Sequence, residues 1–214
     1  MGTRSALRVA LVAGIAVFAA PAAANAAVKI AVPTGCVYAS TTDTAQTVPY
    51  NLAGMAAGAQ YQVSLDGQQV ATGTADAGGR ASGDFPAPIL NHATKQATVS
   101  VTDGTTTDQQ TIDLTDFDAA ITPSTGSARR AVKVALFGWV GKTVFLHYLP
   151  PGAKKPTQTI RVVRTSGRCG HATARIPHLF PTGAKRGAWR LVFDTTRTYH
   201  ANTKLRIEYD TTIH

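Results

Sequence analysis

The chain has 214 residues and a mass of 22.4 kDa, and 44% of its residues are hydrophobic while only 15% are charged. This apolar content is enough for one large domain or two small ones, and it excludes a disordered chain. The 19 glycines show no three-residue period, which excludes a collagen-like helix. The formal net charge of +9 makes the protein basic as a whole.

The first predicted element is an export signal, residues 1–26. Arg4 and Arg8 supply positive charge, residues 9–20 form an apolar run, and Ala24-Asn25-Ala26 places small residues where a signal peptidase cleaves. A retained anchor helix is the alternative, but it would need about 20 apolar residues. The segment therefore predicts cleavage at this site, a secreted or extracytoplasmic protein of the cell envelope, and no membrane span in the mature chain.

Short runs of alternating apolar and polar residues fill the chain after the export signal. Residues 60–65 alternate in this way and lead into Asp66-Gly67, a hairpin-turn signal. The same period occurs in the second half, at residues 132–136 and 189–193. No comparable stretch has a helical period. The pattern predicts an all-β protein of two tandem antiparallel β-sandwich domains.

The two halves of the mature chain carry opposite charge. Residues 27–120 have nine Asp against three Lys or Arg, a balance of −6, whereas residues 121–214 have sixteen Lys or Arg against three acids, a balance of +13. The polar, turn-forming residues 122–127 predict a linker between them. We therefore assign 27–120 to an acidic domain and 121–214 to a basic domain, which bind different partners or dock onto each other.

Residues 54–104 carry a pattern that resembles one known family. Asp66-Gly67 is followed by the turn Thr74-Ala75-Asp76-Ala77-Gly78-Gly79, then by Phe85-Pro86 and a final strand, TVSVTDG, that starts at Thr98. These motifs resemble the immunoglobulin-like modules of bacterial secreted and surface proteins, and the resemblance implies such a domain over residues of about 30–118. It implies no ligand, because these modules act as spacers, adhesins and binding domains alike. The second half resembles uncharacterised secreted actinobacterial modules, a resemblance that implies no function.

Cys36 and Cys169 are the two cysteines of the chain. An exported protein with an even number of cysteines is usually oxidised, so we expect a Cys36–Cys169 disulfide between the two halves. A buried free thiol and an intermolecular bridge are the alternatives.

The search for catalytic motifs favours a non-enzymatic protein. No Gly-x-Ser-x-Gly occurs, and Gly141-Lys142-Thr143 precedes a strand-like run where a phosphate-binding loop requires a helix. The alternative function is a secreted cell-wall hydrolase or transpeptidase-like enzyme with its site around Cys169, His171 and Asp194. A disulfide at Cys169 would remove the nucleophile of that enzyme.

No metal ion or cofactor is predicted. Cys169, His171 and His178 form the one close group of zinc-type ligands, and no second pair completes it. The Asp-rich first half lacks the Asp-x-Asp-x-Asp-Gly loop of a calcium site. His147 alternates onto the polar face of its strand and is predicted to be a surface histidine.

The charge of the second half supplies the candidate binding residues. Three pairs of cations lie beside turn residues: Arg129-Arg130, Lys154-Lys155 and Lys185-Arg186. Surface cations also protect sheet edges against pairing, but a balance of +13 exceeds that need. We therefore expect an envelope-associated binding or structural module whose second domain binds anionic envelope polymers or acidic glycans through charge rather than through a shaped pocket.

Overall fold

The computed structural model describes residues 27–214, so the predicted export signal lies outside the described residues. Within that range every regular element is a strand, which confirms the all-β prediction. No helix in residues 27–214 has the length and apolar character that a bilayer span requires. The strands of the first domain are β1 (Lys29–Ala31), β2 (Cys36–Tyr38), β3 (Thr47–Ala53), β4 (Gln60–Leu65), β5 (Gln68–Thr74), β6 (Ala81–Pro86), β7 (Thr94–Thr102) and β8 (Thr107–Thr115). Those of the second are β9 (Asp118–Thr122), β10 (Val132–Phe137), β11 (Thr143–Leu149), β12 (Gln158–Arg164), β13 (Ala172–Ile176), β14 (Gly187–Asp194) and β15 (Arg206–Ile213).

The first domain is a sandwich of two sheets, in the orders β1-β3-β6 and β2-β8-β7-β4-β5. All neighbouring strands pair antiparallel except β2 and β8, which pair parallel. Apart from the short strand β2, the chain places β1, β3 and β6 in one sheet and β4, β5, β7 and β8 in the other. This is the strand order of an immunoglobulin-like sandwich.

The second domain repeats this order in its own two sheets, β13-β10-β9 and β12-β11-β14-β15. Strands β9, β10 and β13 take the places of β1, β3 and β6, and β11, β14 and β15 take those of β4, β7 and β8. Both domains therefore have an immunoglobulin-like architecture, although only the first half shows motifs of that family in its sequence.

The change from one domain to the other occurs earlier than the predicted boundary after residue 120. β8 ends at Thr115 in the first domain, and β9 starts at Asp118 and pairs with β10 in the second. Only Asp116 and Phe117 connect them, whereas the predicted linker, residues 122–127, covers the end of β9 and the turn into β10. Polar, turn-forming residue types occur both in the turns between paired strands and in linkers between domains. Composition alone therefore did not show which of the two residues 122–127 form.

Each domain has its own apolar core, built by period-two alternation. In β3 the buried residues Val48, Tyr50 and Leu52 alternate with exposed ones, and they pack in the first core. In the second core Trp139 and Phe193 are fully buried. Two separate cores mean that contacts at the junction, rather than a shared interior, hold the domains together.

The junction is closed by the predicted disulfide. Cys36 in β2 and Cys169 in the β12–β13 loop are bonded, with their Cα atoms 5.1 Å apart. Arg168 donates to the carbonyl oxygen of Thr34 (3.2 Å) and pairs with Asp113 (3.3 Å). The loops of the second domain that carry these contacts lie at the end of its sandwich that faces the first domain.

Candidate functional site

Three loops of the second domain meet at the opposite end of the sandwich. β10 pairs antiparallel with both β9 and β13, and its first residues face the last residues of each. The β9–β10 and β13–β14 loops therefore leave the sandwich at one end. In the other sheet, Leu149 at the end of β11 pairs with Arg190 near the start of β14, which places the β11–β12 loop at that same end.

Direct contacts tie the three loops together. The main-chain N–H of Leu179 donates to the carbonyl oxygen of Arg130 over 3.0 Å, and His178 Nδ1 lies 3.0 Å from the carbonyl oxygen of Arg129. A Cβ atom added to Gly187 would lie only 2.8 Å from the Cγ of Pro151, so β14 starts against the β11–β12 loop. The loops form one continuous surface.

All six cations that were predicted from the sequence as binding residues lie on this surface, which we call the basic end. It consists of Arg129, Arg130, Lys154, Lys155, Lys185 and Arg186. In the part of the chain that the structure describes, no carboxylate lies within 4.0 Å of any of the six. Arg190, by contrast, has Glu208 at 3.4 Å and Asp210 at 3.5 Å. Within the described residues, none of the six cations is therefore held in a salt bridge.

Arg130 differs from the other five because it also holds the β9–β10 turn. Its guanidinium donates to the carbonyl oxygens of Ser124 (2.8 Å), Gly126 (2.8 Å), Ser127 (2.9 Å) and Pro123 (3.2 Å). A guanidinium has five N–H donors in a planar fork, so it can satisfy several carbonyl groups at once. Arg130 shapes the basic end, and the other five cations, which are exposed, are free to contact a ligand.

A groove of about 500 Å³ runs between the β11–β12 and β13–β14 loops. Pro150, Pro151 and Trp189 line it together with Lys185 and Arg186. The indole N–H of Trp189 donates to the carbonyl oxygen of Lys185 (2.8 Å), which fixes the loop that carries both cations. The basic end is thus a grooved surface with cations at its rim, a shape that the sequence did not predict.

The residues of the alternative enzyme do not form a site. Cys169 is oxidised in the disulfide, so it offers no thiolate. His171 packs against the ring of Phe137, at 5.1 Å between centroids. Asp194 is fully buried and bonded to His147 instead. No nucleophile and base are paired among the three residues that this hypothesis requires.

His147 is fully buried, so the prediction of a surface histidine is wrong. It does lie on the sheet face turned away from the core, as its alternation predicts. The β14–β15 loop folds over that face, however, and places the ring of Tyr199 at 5.4 Å from the imidazole. Sequence periodicity indicates which face a side chain takes, and long-range packing decides whether that face meets water.

The buried histidine belongs to a polar network across three strands. His147 Nδ1 lies 2.7 Å from the hydroxyl of Thr159 and Nε2 lies 3.0 Å from Asp194 Oδ1, which also accepts the N–H of Thr196. Burial alone raises the pKa of the Asp194 carboxyl, but the hydrogen bonds from His147 and Thr196 outweigh it and leave the pKa below its usual value. The network anchors the β14–β15 loop to the sheet.

No protein-family model and no curated protein matches the chain. Among solved structures, the D0-D1 domain of intimin is 11% identical with a TM-score of 0.32, and the match covers 86% of this chain and 96% of that one. The titin domains z1z2 in complex with telethonin are 15% identical, with a TM-score of 0.26 and coverage of 86% and 94%. The human OSCAR ligand-binding domain is 8% identical, with a TM-score of 0.29 and coverage of 88% and 97%. Similarity at this level shows no family and carries no function.

Proposed function

We propose that this protein is an exported, non-enzymatic module of the cell envelope whose second domain binds anionic polymers at the basic end. The observation that carries the proposal is the convergence of six cations from three separate loops, with no carboxylate within 4.0 Å of any of them in the described residues. Unpaired cations on one surface attract polyanions, and the release of condensed counterions drives the association.

The location of the basic end supports the proposal. The acidic first domain contacts the other end of the second domain, through Cys169 and Arg168. Its carboxylates therefore do not compete for the six cations, and a polymer can reach them without displacing the first domain. The first domain would act as a spacer or attachment module. The disulfide and the contacts at the junction would hold the basic end in a fixed orientation relative to it.

Export is the second part of the proposal. The signal-like segment at residues 1–26 and the disulfide both support it, because disulfides persist in oxidising compartments outside the cytosol. Anionic wall polymers and acidic glycans are the polyanions available there. We propose these as the ligand class.

Charge reversal with a matched control tests the binding site. In one variant Lys154, Lys155, Lys185 and Arg186 are changed to Glu. In the control the same change is made at four exposed cations of β12 and of the loops at the opposite end of the domain, Lys142, Arg161, Arg164 and Arg197. Both variants change the net charge by the same amount. Retention on immobilised polyphosphate and on a sulfated glycan is measured from low to moderate salt.

The variant at the basic end should bind both polymers at least about tenfold more weakly. Its logarithmic salt dependence should flatten by about 0.9 for each phosphate that the protein no longer neutralises, as for duplex DNA. The control should bind only slightly more weakly than the wild type. Equal weakening in both variants would show that net charge, not the basic end, binds the polymer. A wild-type protein that passes unretained at low salt would refute the proposal.

A further inference from the structure

Three side chains with metal-ligating atoms lie together where the two domains join. His92 belongs to the β6–β7 loop, Asp116 to the two-residue connection, and Asp118 to the first position of β9. One ligand atom from each lies within 4.8 Å of the other two. His92 and Asp118 are 26 positions apart in the sequence, so no local motif marks the group.

Asp116 has an unsatisfied oxygen inside the protein. The residue is only 5% exposed, and its Oδ2 accepts a hydrogen bond from the N–H of Ala93 over 3.4 Å. Its Oδ1 is buried and has no hydrogen-bond partner. A buried carboxylate oxygen without a partner is costly, and a bound cation would compensate it.

Asp118 is arranged in a similar way. Its Oδ1 lies 3.2 Å from the hydroxyl of Tyr209, which also donates to the carbonyl oxygen of Ala119, and its Oδ2 contacts Nδ1 of His92. Asp116 thus has one oxygen without a partner, and the second oxygen of Asp118 faces His92, with which it would share a ligand. Metal-binding carboxylates are commonly oriented by a second hydrogen bond of this kind.

We propose that His92, Asp116 and Asp118 bind a zinc ion at the domain junction. One imidazole nitrogen and two carboxylate oxygens are ligand types that zinc accepts, with a water molecule in the fourth position. Calcium and magnesium prefer oxygen ligands alone. Both cysteines are in the disulfide, so no thiolate competes for the ion.

Zinc binding requires one adjustment, at the side chain of His92. Ligand atoms around a tetrahedral zinc ion lie about 3.3 Å apart, given bonds of about 2.0 Å. Nδ1 of His92 and Oδ2 of Asp118 are in direct contact, so the exposed imidazole has to rotate away from the carboxylate to admit the ion between them. The ion would link a loop of the first domain to the first strand of the second, so its binding stabilises the junction and raises the melting temperature.

Zinc binding to the untagged, oxidised chain of residues 27–214 tests the proposal. Equilibrium dialysis against zinc alone should give one ion bound per chain at micromolar concentration, with an increase in Tm. The His92→Ala variant should bind at least about tenfold more weakly and show no Tm increase. The control is His200→Ala, which removes another exposed histidine and should keep both effects.

His92 has a half-exposed side chain, so His92→Ala is expected to fold, which circular dichroism without metal verifies. Asp116→Asn, a variant of equal size, should weaken zinc binding in the same direction. Undiminished zinc binding by folded His92→Ala would overturn the proposal, and so would tighter binding of calcium or magnesium than of zinc by the wild type. None of these measurements depends on the basic end, so the zinc site and the proposed polymer binding are tested separately, and either can be refuted without the other.

Discussion

The hydroxyl of Tyr38 donates a hydrogen bond to the carbonyl oxygen of Gly138 across the domain junction, over 3.0 Å. The ring of Tyr38 also meets the ring of Phe117 edge-on, with 6.3 Å between centroids. Cys36, two positions before Tyr38, is bonded to Cys169. The short strand β2 therefore contacts the second domain through a covalent bond and a hydrogen bond, and the connection between the domains through an aromatic pair, so it couples the two sandwiches.

Removal of the disulfide should separate the unfolding of the two domains. A bridge over 133 positions restricts the unfolded chain, and loop-entropy models assign such a bridge a stabilisation of up to about 5 kcal/mol. In the double variant Cys36→Ser, Cys169→Ser, urea unfolding followed by circular dichroism should start at lower urea and show two transitions. Non-reducing peptide mapping of the wild type should recover one linked pair; two alkylated cysteines would contradict this.

Gly138→Ala should destabilise the junction more than Gly141→Ala in the same turn. Both glycines have positive φ, 78° and 65°, so an alanine at either position costs about 1–2 kcal/mol in backbone strain. A Cβ at Gly138 would lie 2.4 Å from the carbonyl oxygen of Asp116, whereas at Gly141 nothing lies within 4 Å. The free energy of unfolding should fall by at least about 2 kcal/mol more for Gly138→Ala. Equal decreases would mean that the close approach to Asp116 is absent.

His147→Ala should be strongly destabilising because it leaves the buried carboxylate of Asp194 without its main partner. Leaving a buried carboxylate without its hydrogen-bond partner, together with the cavity left by the imidazole, costs about 3 kcal/mol. His200→Ala, an identical change at an exposed position, should stay within about 0.5 kcal/mol of the wild type. Urea unfolding at neutral pH measures both. A His147→Ala variant as stable as His200→Ala would show that the β14–β15 loop does not cover His147 in solution.

Asp103 should contribute to stability in a pH-dependent way. Hydrogen bonds from the main-chain N–H groups of Thr106 and Thr105 lower the pKa of its carboxyl from 3.8 to about 2. Because the folded pKa is the lower one, the contribution is fully present above about pH 4 and is lost as the pH falls through about 2. Asp103→Asn keeps an acceptor oxygen but does not titrate, so its stability should fall less between pH 4 and 2. Asp43→Asn, at an exposed loop position, should follow the wild type.

The exported protein should begin at Ala27. The expectation rests on Ala24-Asn25-Ala26 after the apolar run and on the positive charge of Arg4 and Arg8. Amino-terminal sequencing of the secreted material measures it. Protein that still carries Met1 or the apolar run would contradict cleavage at this site.

The amino-acid sequence alone was sufficient for the features that depend on local pattern. Alternation with a period of two, as in β3 and β4, predicted strands, and the opposite charges of the two halves pointed to two domains. The Cys36–Cys169 bridge followed from chemistry, because two cysteines allow one intramolecular pairing and the signal-like segment predicted an oxidising compartment. Each of these inferences uses neighbouring residues or composition, which a sequence displays directly.

Only the tertiary structure decided the features that depend on strand pairing and loop packing. It moved the domain change to Asp116 and Phe117, because β9 pairs with β10, and it buried His147 under a loop that is distant in the sequence. It also gathered the cations of three loops at one end and brought His92 next to Asp118. Antiparallel pairing brings residues tens of positions apart to the same edge of a sheet, and no local sequence pattern records which ones will meet.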